Sequence, residues 1–104
     1  MAASRIDVLK GLISQNPTDA FTRYGLAMEY IKAGELEQAV NEFRAVLANN
    51  SGYAYAYFHG GQTLEKLGLF DEARQWYEKG VEITRQSGDS KALSELQAAL
   101  DLLP

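Results

Sequence analysis

The residues from Ala20 to Ser87 carry one pattern written twice, and that repetition limits this chain more than any other feature. Gly34 and Gly68 stand 34 residues apart, as do Ala39 and Ala73, Phe43 and Tyr77, Ala27 and Gly61, Tyr30 and Leu64, and Leu36 and Phe70. Small residues fall on small ones and large on large. A repeat of this length marks stacked helical units, each of which needs a neighbour to bury its apolar face. Two helices approach closely only where side chains are small, so Ala39 and Ala73 read as crossing points. Gly34 and Gly68 suit the residue just past a helix end, where the chain turns through a left-handed conformation that costs glycine little.

The segments around the repeat read as helices too. Ser4 is placed to cap a first helix, with Asp7 three residues on in a capping-box arrangement. Ile6, Leu9, Leu12 and Ile13 recur at helical spacing, and Asn16-Pro17 stops the run, since a residue before proline is pushed out of the helical region. A second helix is expected from Thr18 or Asp19 to Ala33, and a third from Glu35 to Asn49. Asn49-Asn50-Ser51-Gly52 is a turn by composition. Helices from Tyr53 to Leu67 and from Asp71 to Gln86 follow, with Asp71 as the expected cap of the latter. Ser87-Gly88-Asp89 breaks the chain, and Asp89 or Ser90 caps a last helix that places Leu93, Leu96, Leu100 and Leu103 on one stripe. Such a stripe on a polar helix is what closes the end of a repeat array.

Composition narrows the function classes. The net charge of −4 argues against nucleic acid and anionic membranes as partners, because both attract basic surfaces. With no cysteine, thiolate catalysis, disulfides and cysteine-bound zinc are excluded. No apolar run approaches the about eighteen residues of a membrane span, and no signal peptide is evident at residues 1–13, so a cytoplasmic location is expected. His59 is the only histidine, a poor basis for a metal site. No glycine-rich phosphate loop precedes a helix; Gly60-Gly61 sits inside a helical pattern and reads as close helix packing. The carboxylates are spread over helix faces, and no serine is marked as a nucleophile. No catalytic residue, cofactor or metal is expected.

The two units resemble tetratricopeptide repeats, a family of helix–turn–helix pairs. The resemblance rests on the small residue at the eighth position (Ala27, Gly61), the turn glycine (Gly34, Gly68), the small alanine early in the second helix (Ala39, Ala73) and the aromatic four residues later (Phe43, Tyr77). The pattern's fourth-position aromatic is Tyr57 in the second unit but Arg23 in the first, and its proline near the repeat end is replaced by Ser51 and Arg85. Residues 4–16 resemble the second helix of a preceding repeat, with Pro17 in the family's proline position. The resemblance implies an all-α fold, a right-handed helical-hairpin solenoid in one domain over 1–104. Its parts are a half repeat at 4–16, repeats at 20–53 and 54–87, and a capping helix at 89–103.

It also implies a function. In the helix from Tyr53, Tyr57, Gly60, Gly61 and Leu64 share one side at helical spacing and match the family's packing positions. Tyr55, Phe58, His59, Gln62 and Lys66 lie opposite. In the helix from Asp19, Leu26, Ala27 and Tyr30 face the partner helix, while Phe21, Tyr24, Met28 and Ile31 point away. By resemblance this second side lines a concave groove that holds peptides or helices. Aromatic and apolar side chains in such number opposite a packing face mark an interface. One family branch clamps peptide carboxylates with lysine, asparagine and arginine on this face. Tyr24, Met28 and His59 stand at the corresponding positions, so the clamp is absent. The expected function is a non-catalytic scaffold that binds a protein or peptide partner, as a monomer or weak homodimer. The rival reading is a self-associating assembly module whose apolar face forms a homodimer interface.

Overall fold

The computed structural model describes residues 4–104. Among them there are six α-helices and no strand: α1 (Arg5–Gln15), α2 (Ala20–Lys32), α3 (Leu36–Asn49), α4 (Ala54–Lys66), α5 (Phe70–Ser87) and α6 (Ser90–Asp101). The chain groups into two compact units that part between Ser51 and Gly52.

In the first unit α2 and α3 form a hairpin and α1 packs on α2. Ser4 starts α1, its hydroxyl accepting the Asp7 N–H at 3.1 Å, and Asn16 ends it outside the helical region ahead of Pro17. Asp19 starts α2. Its carboxylate accepts the Thr22 hydroxyl at 2.7 Å and the Thr22 N–H at 3.4 Å, and the hydroxyl bond holds its pKa below the ordinary value. Gly34, at φ +76°, turns the chain out of α2. Its N–H reaches Ile31 O and the Glu35 N–H reaches Tyr30 O, so two helix-end carbonyls are satisfied by the turn itself. Leu26, Ala27 and Tyr30 then meet Ala39, Val40, Phe43 and Val46 in the buried seam. Arg23, where the family has an aromatic, stays useful by bonding Glu42 at 2.9 Å and the Pro17 carbonyl at 3.0 Å.

In the second unit α4 and α5 form the matching hairpin and α6 packs on both. Gly68, at φ +77°, repeats the turn, with the Leu69 N–H bonded to Leu64 O. That bond ties Leu69 down at the cap, and α5 begins at Phe70 with no side-chain cap; the expected cap Asp71 lies within the first turn instead. There its carboxylate suits the positive end of the helix. Ala73, Tyr77, Tyr57 and Leu64 are buried. A methyl group added at Gly60 would fall inside the ring of Trp76, and one at Gly61 inside the ring of Tyr77. The glycine pair is therefore a seat for two aromatic rings. The buried hydroxyls of Thr63 and Thr84 bond the carbonyls one turn back, at 2.7 and 2.8 Å, so neither is left unpaired.

Asp89 caps α6 through the Ala92 N–H at 3.2 Å. The expected leucine stripe is only partly seated. Ala92 and Leu96 are fully buried, while Leu93, Leu100 and Leu103 are half-buried. The reason is Gly80. A Cβ there would lie 2.9 Å from both Leu96 Cδ2 and Tyr57 Cβ, so the bare backbone of α5 lets Leu96 drop into the core and turns its neighbours partly outward.

Paired positions change together between the two hairpins. Leu26 and Glu42 in the first become Gly60 and Trp76 in the second, the large ring arriving where the opposing side chain has gone. Ile31 and Phe43 become Glu65 and Tyr77, and the new hydroxyl donates to the new carboxylate. Burial and that bond push the Tyr77 pKa well up. In the second seam the large ring sits where the opposing residue has no side chain, and the added hydroxyl has a partner.

Candidate functional face

Helix α4 turns two faces to two neighbours. Tyr57, Gly60, Gly61 and Leu64 go into the seam with α5. Tyr55, Phe58 and His59 gather on the other side as a ring cluster, with centroids 6.3 Å apart for Tyr55 and Phe58, 6.0 Å for Tyr55 and His59, and 5.2 Å for Phe58 and His59. Spacing of three and four residues on one helix makes this unavoidable once the glycine side is committed to α5.

Helix α6 lies against this cluster. The Tyr55 hydroxyl donates to the Glu95 carboxylate at 3.4 Å. Phe58 and Gln62 of α4, with Glu95, Ala98, Ala99 and Leu102 of α6, line a shallow cleft of about 280 Å³. Leu102 is 84% exposed at its edge. Burial holds the His59 imidazole below its ordinary pKa, opposed by a hydrogen bond with Gln62 and by the Glu95 carboxylate. The ring is therefore neutral at neutral pH, and the cleft has an apolar floor with a polar rim. It fits an apolar side chain better than an ion. Among the described residues, no group of three metal-ligating side chains comes together, and no helix is long and apolar enough to cross a membrane.

Of the residues expected on this side of α4, Tyr55, Phe58, His59 and Gln62 are thus brought together, and Lys66 is exposed one turn beyond. Glu95, Ala98, Ala99 and Leu102 were not anticipated. Their signal is a weaker repetition: α6 begins 36 residues after α4, at Ser90 and Ala54, rather than 34. Helix α5 is 18 residues long where α3 has 14, and the turn that follows it is shorter, which moves the third copy out of phase.

The corresponding side of α2, in the first unit, is less open than expected. Phe21 is 74% exposed, but Met28 and Ile31 are half-buried. Tyr24 does not point away from the seam. Its ring meets Phe43 edge-on, with centroids 5.9 Å apart. Helix α1 takes a further side of α2, with Arg5 paired to Glu29 at 3.2 Å and Lys10 over the Tyr30 ring.

Comparison with known proteins agrees with this arrangement. The profile of the tetratricopeptide repeat matches residues 24–89. A TPR repeat-containing protein of Pseudomonas aeruginosa is 25% identical over 95 residues, spanning 91% of this chain and 90% of its own length. The solution structure of a tetratricopeptide repeat domain protein from Salinibacter ruber is 38% identical, with a TM-score of 0.77 over 82% of this chain and 86% of that one. A solution structure of a Bordetella parapertussis protein superposes over 97% of this chain and 87% of that one, at 28% identity and a TM-score of 0.80. Turn glycines, alanine crossings and matched hairpins on one side, and these likenesses on the other, make this chain a member of the tetratricopeptide repeat family, all-α and built of helical hairpins.

Proposed function

We propose that this protein is a non-catalytic scaffold that binds an apolar-anchored peptide or helix of a protein partner. The family is one of protein–protein interaction modules, and that coarse role comes with membership. The observation that carries the finer reading is the cleft between Phe58 and Leu102, an apolar floor flanked by a ring cluster and left open. A few central aromatics dominate the affinity of such surfaces, and a preformed groove with spaced anchors suits a helix or an extended segment. Tyr55, Phe58, His59, Gln62 and Lys66 are the contacts proposed in the second unit. Phe21, Tyr24, Met28 and Ile31 are those proposed in the first. The contacts are mainly apolar, so binding depends only weakly on salt.

The test is selection of binders from a random peptide library against the whole chain, followed by titration of each. Phe58→Ala weakens the selected peptides by about 1–3 kcal/mol and leaves the helical signal unchanged. Peptides whose affinity ignores Phe58→Ala and Leu102→Ala would overturn the reading.

A further inference from the structure

Glu95 is the charged member of the Phe58 cleft's lining. It is half-buried, and the Tyr55 hydroxyl that it accepts lies 3.4 Å away, a long bond that leaves most of its acceptor capacity open. Among the described residues no lysine or arginine forms an ion pair with it. Lys91, one turn earlier on α6, and Lys66, at the end of α4, are both exposed. Any partner that covers the cleft takes the remaining water from this carboxylate. A carboxylate covered in that way is costly unless a counter-charge arrives with the partner. A purely apolar anchor leaves it uncompensated.

The surroundings favour a cation. The ring cluster of Tyr55, Phe58 and His59 stands beside Glu95, so a cation there meets aromatic surface as well as the carboxylate. Residues 52–104 hold eight acidic and five basic side chains, so the field of this unit draws cations towards it. The floor sets the spacing. Ala98 and Ala99 leave room for an anchor one turn beyond Glu95, roughly 5 Å along the helix axis. On a helical ligand the same distance separates residues three or four apart.

We propose that the occupant of the Phe58 cleft is a basic helical segment of a partner protein. An apolar side chain of that segment sits on Ala98 and Ala99. Three or four residues away on the same face, a lysine or arginine pairs with Glu95. The proposal deepens the scaffold reading and rests on it. Arginine suits the site better than lysine, because its planar fork can bond a carboxylate and stack on a ring at once. The bound partner covers the pair, so salt screens it little and the weak salt dependence of binding holds.

Peptides selected from the random library against the whole chain test this. They are expected to carry arginine or lysine three or four residues from a leucine, methionine or phenylalanine. Glu95→Gln keeps an acceptor for Tyr55 and is expected to weaken them about tenfold or more. Changing the peptide's basic residue to glutamate abolishes binding to the wild type, and Glu95→Lys restores it. Circular dichroism checks that each variant is folded. Should Glu95→Lys not fold, a cycle of Glu95→Gln against the peptide's basic residue changed to glutamine reads the same pair, as losses that are not additive. Peptides weakened by Phe58→Ala but indifferent to Glu95→Gln would overturn this proposal and leave the scaffold reading standing, as would acidic peptides that lose affinity in Lys66→Ala. Peptides indifferent to Phe58→Ala would overturn both. Self-association of the wild-type chain that Phe58→Ala abolishes would overturn the proposal too, by placing a second copy in the cleft.

Discussion

Gly60 and Trp76 show what a single residue can decide in this chain. The ring occupies the volume that any side chain at Gly60 would need. Gly60→Ala therefore lowers stability by about 1–3 kcal/mol through overpacking, more than the roughly 1 kcal/mol that alanine gains over glycine in a helix. Adding Trp76→Ala removes the clash, so the two substitutions are not additive. A thermal-denaturation double-mutant cycle reads that coupling, and strict additivity would mean that the ring is not seated on the glycine. His59 gives a second residue-scale prediction. Its folded pKa lies below the ordinary 6.5, so the folded state binds fewer protons than the unfolded chain as pH falls past that value. Stability is then full above 6.5 and is lost as pH falls through the folded pKa. The melting temperature of the wild type should fall more than that of His59→Gln between about pH 7.5 and about pH 5.5; parallel curves would show that the imidazole is not linked to folding.

Among the elements, α6 is seated through few side chains, Ala92 and Leu96 being its buried ones. Leu96 fills the space left by Gly80, so Leu96→Ala should cost about 2–5 kcal/mol in denaturant titration. Deletion of residues 89–104 should bring lost stability or aggregation, since it uncovers Gly80 and Tyr57 together. Tyr24→Ala belongs here too: its ring braces Phe43, so the substitution destabilises the α2–α3 hairpin. The hairpins themselves were legible in the sequence because Gly34, Gly68, Ala39 and Ala73 have backbone and steric demands that few other residues meet. Asp71 was misread as a cap because a turn that bonds its own backbone needs no side chain. How deeply each leucine of the Leu93–Leu103 stripe is seated was not legible, because Gly80, on another helix, makes the room for Leu96. The face of α4 could be placed from spacing alone, whereas Leu102 and Glu95 could not, since they depend on where α6 docks.

At the scale of the whole molecule, the chain is a set of helical hairpins whose packing positions are settled within each unit. What distinguishes the α4–α6 face is an apolar cleft beside three rings. The most direct test is an amide chemical-shift map of the isotope-labelled chain titrated with a library-selected peptide. The expected shifts centre on Tyr55, Phe58, His59 and Gln62 of α4 and on Glu95, Ala98 and Leu102 of α6, and they vanish in Phe58→Ala. Saturating binding with shifts confined to other helices, and undiminished by Phe58→Ala, would contradict the account.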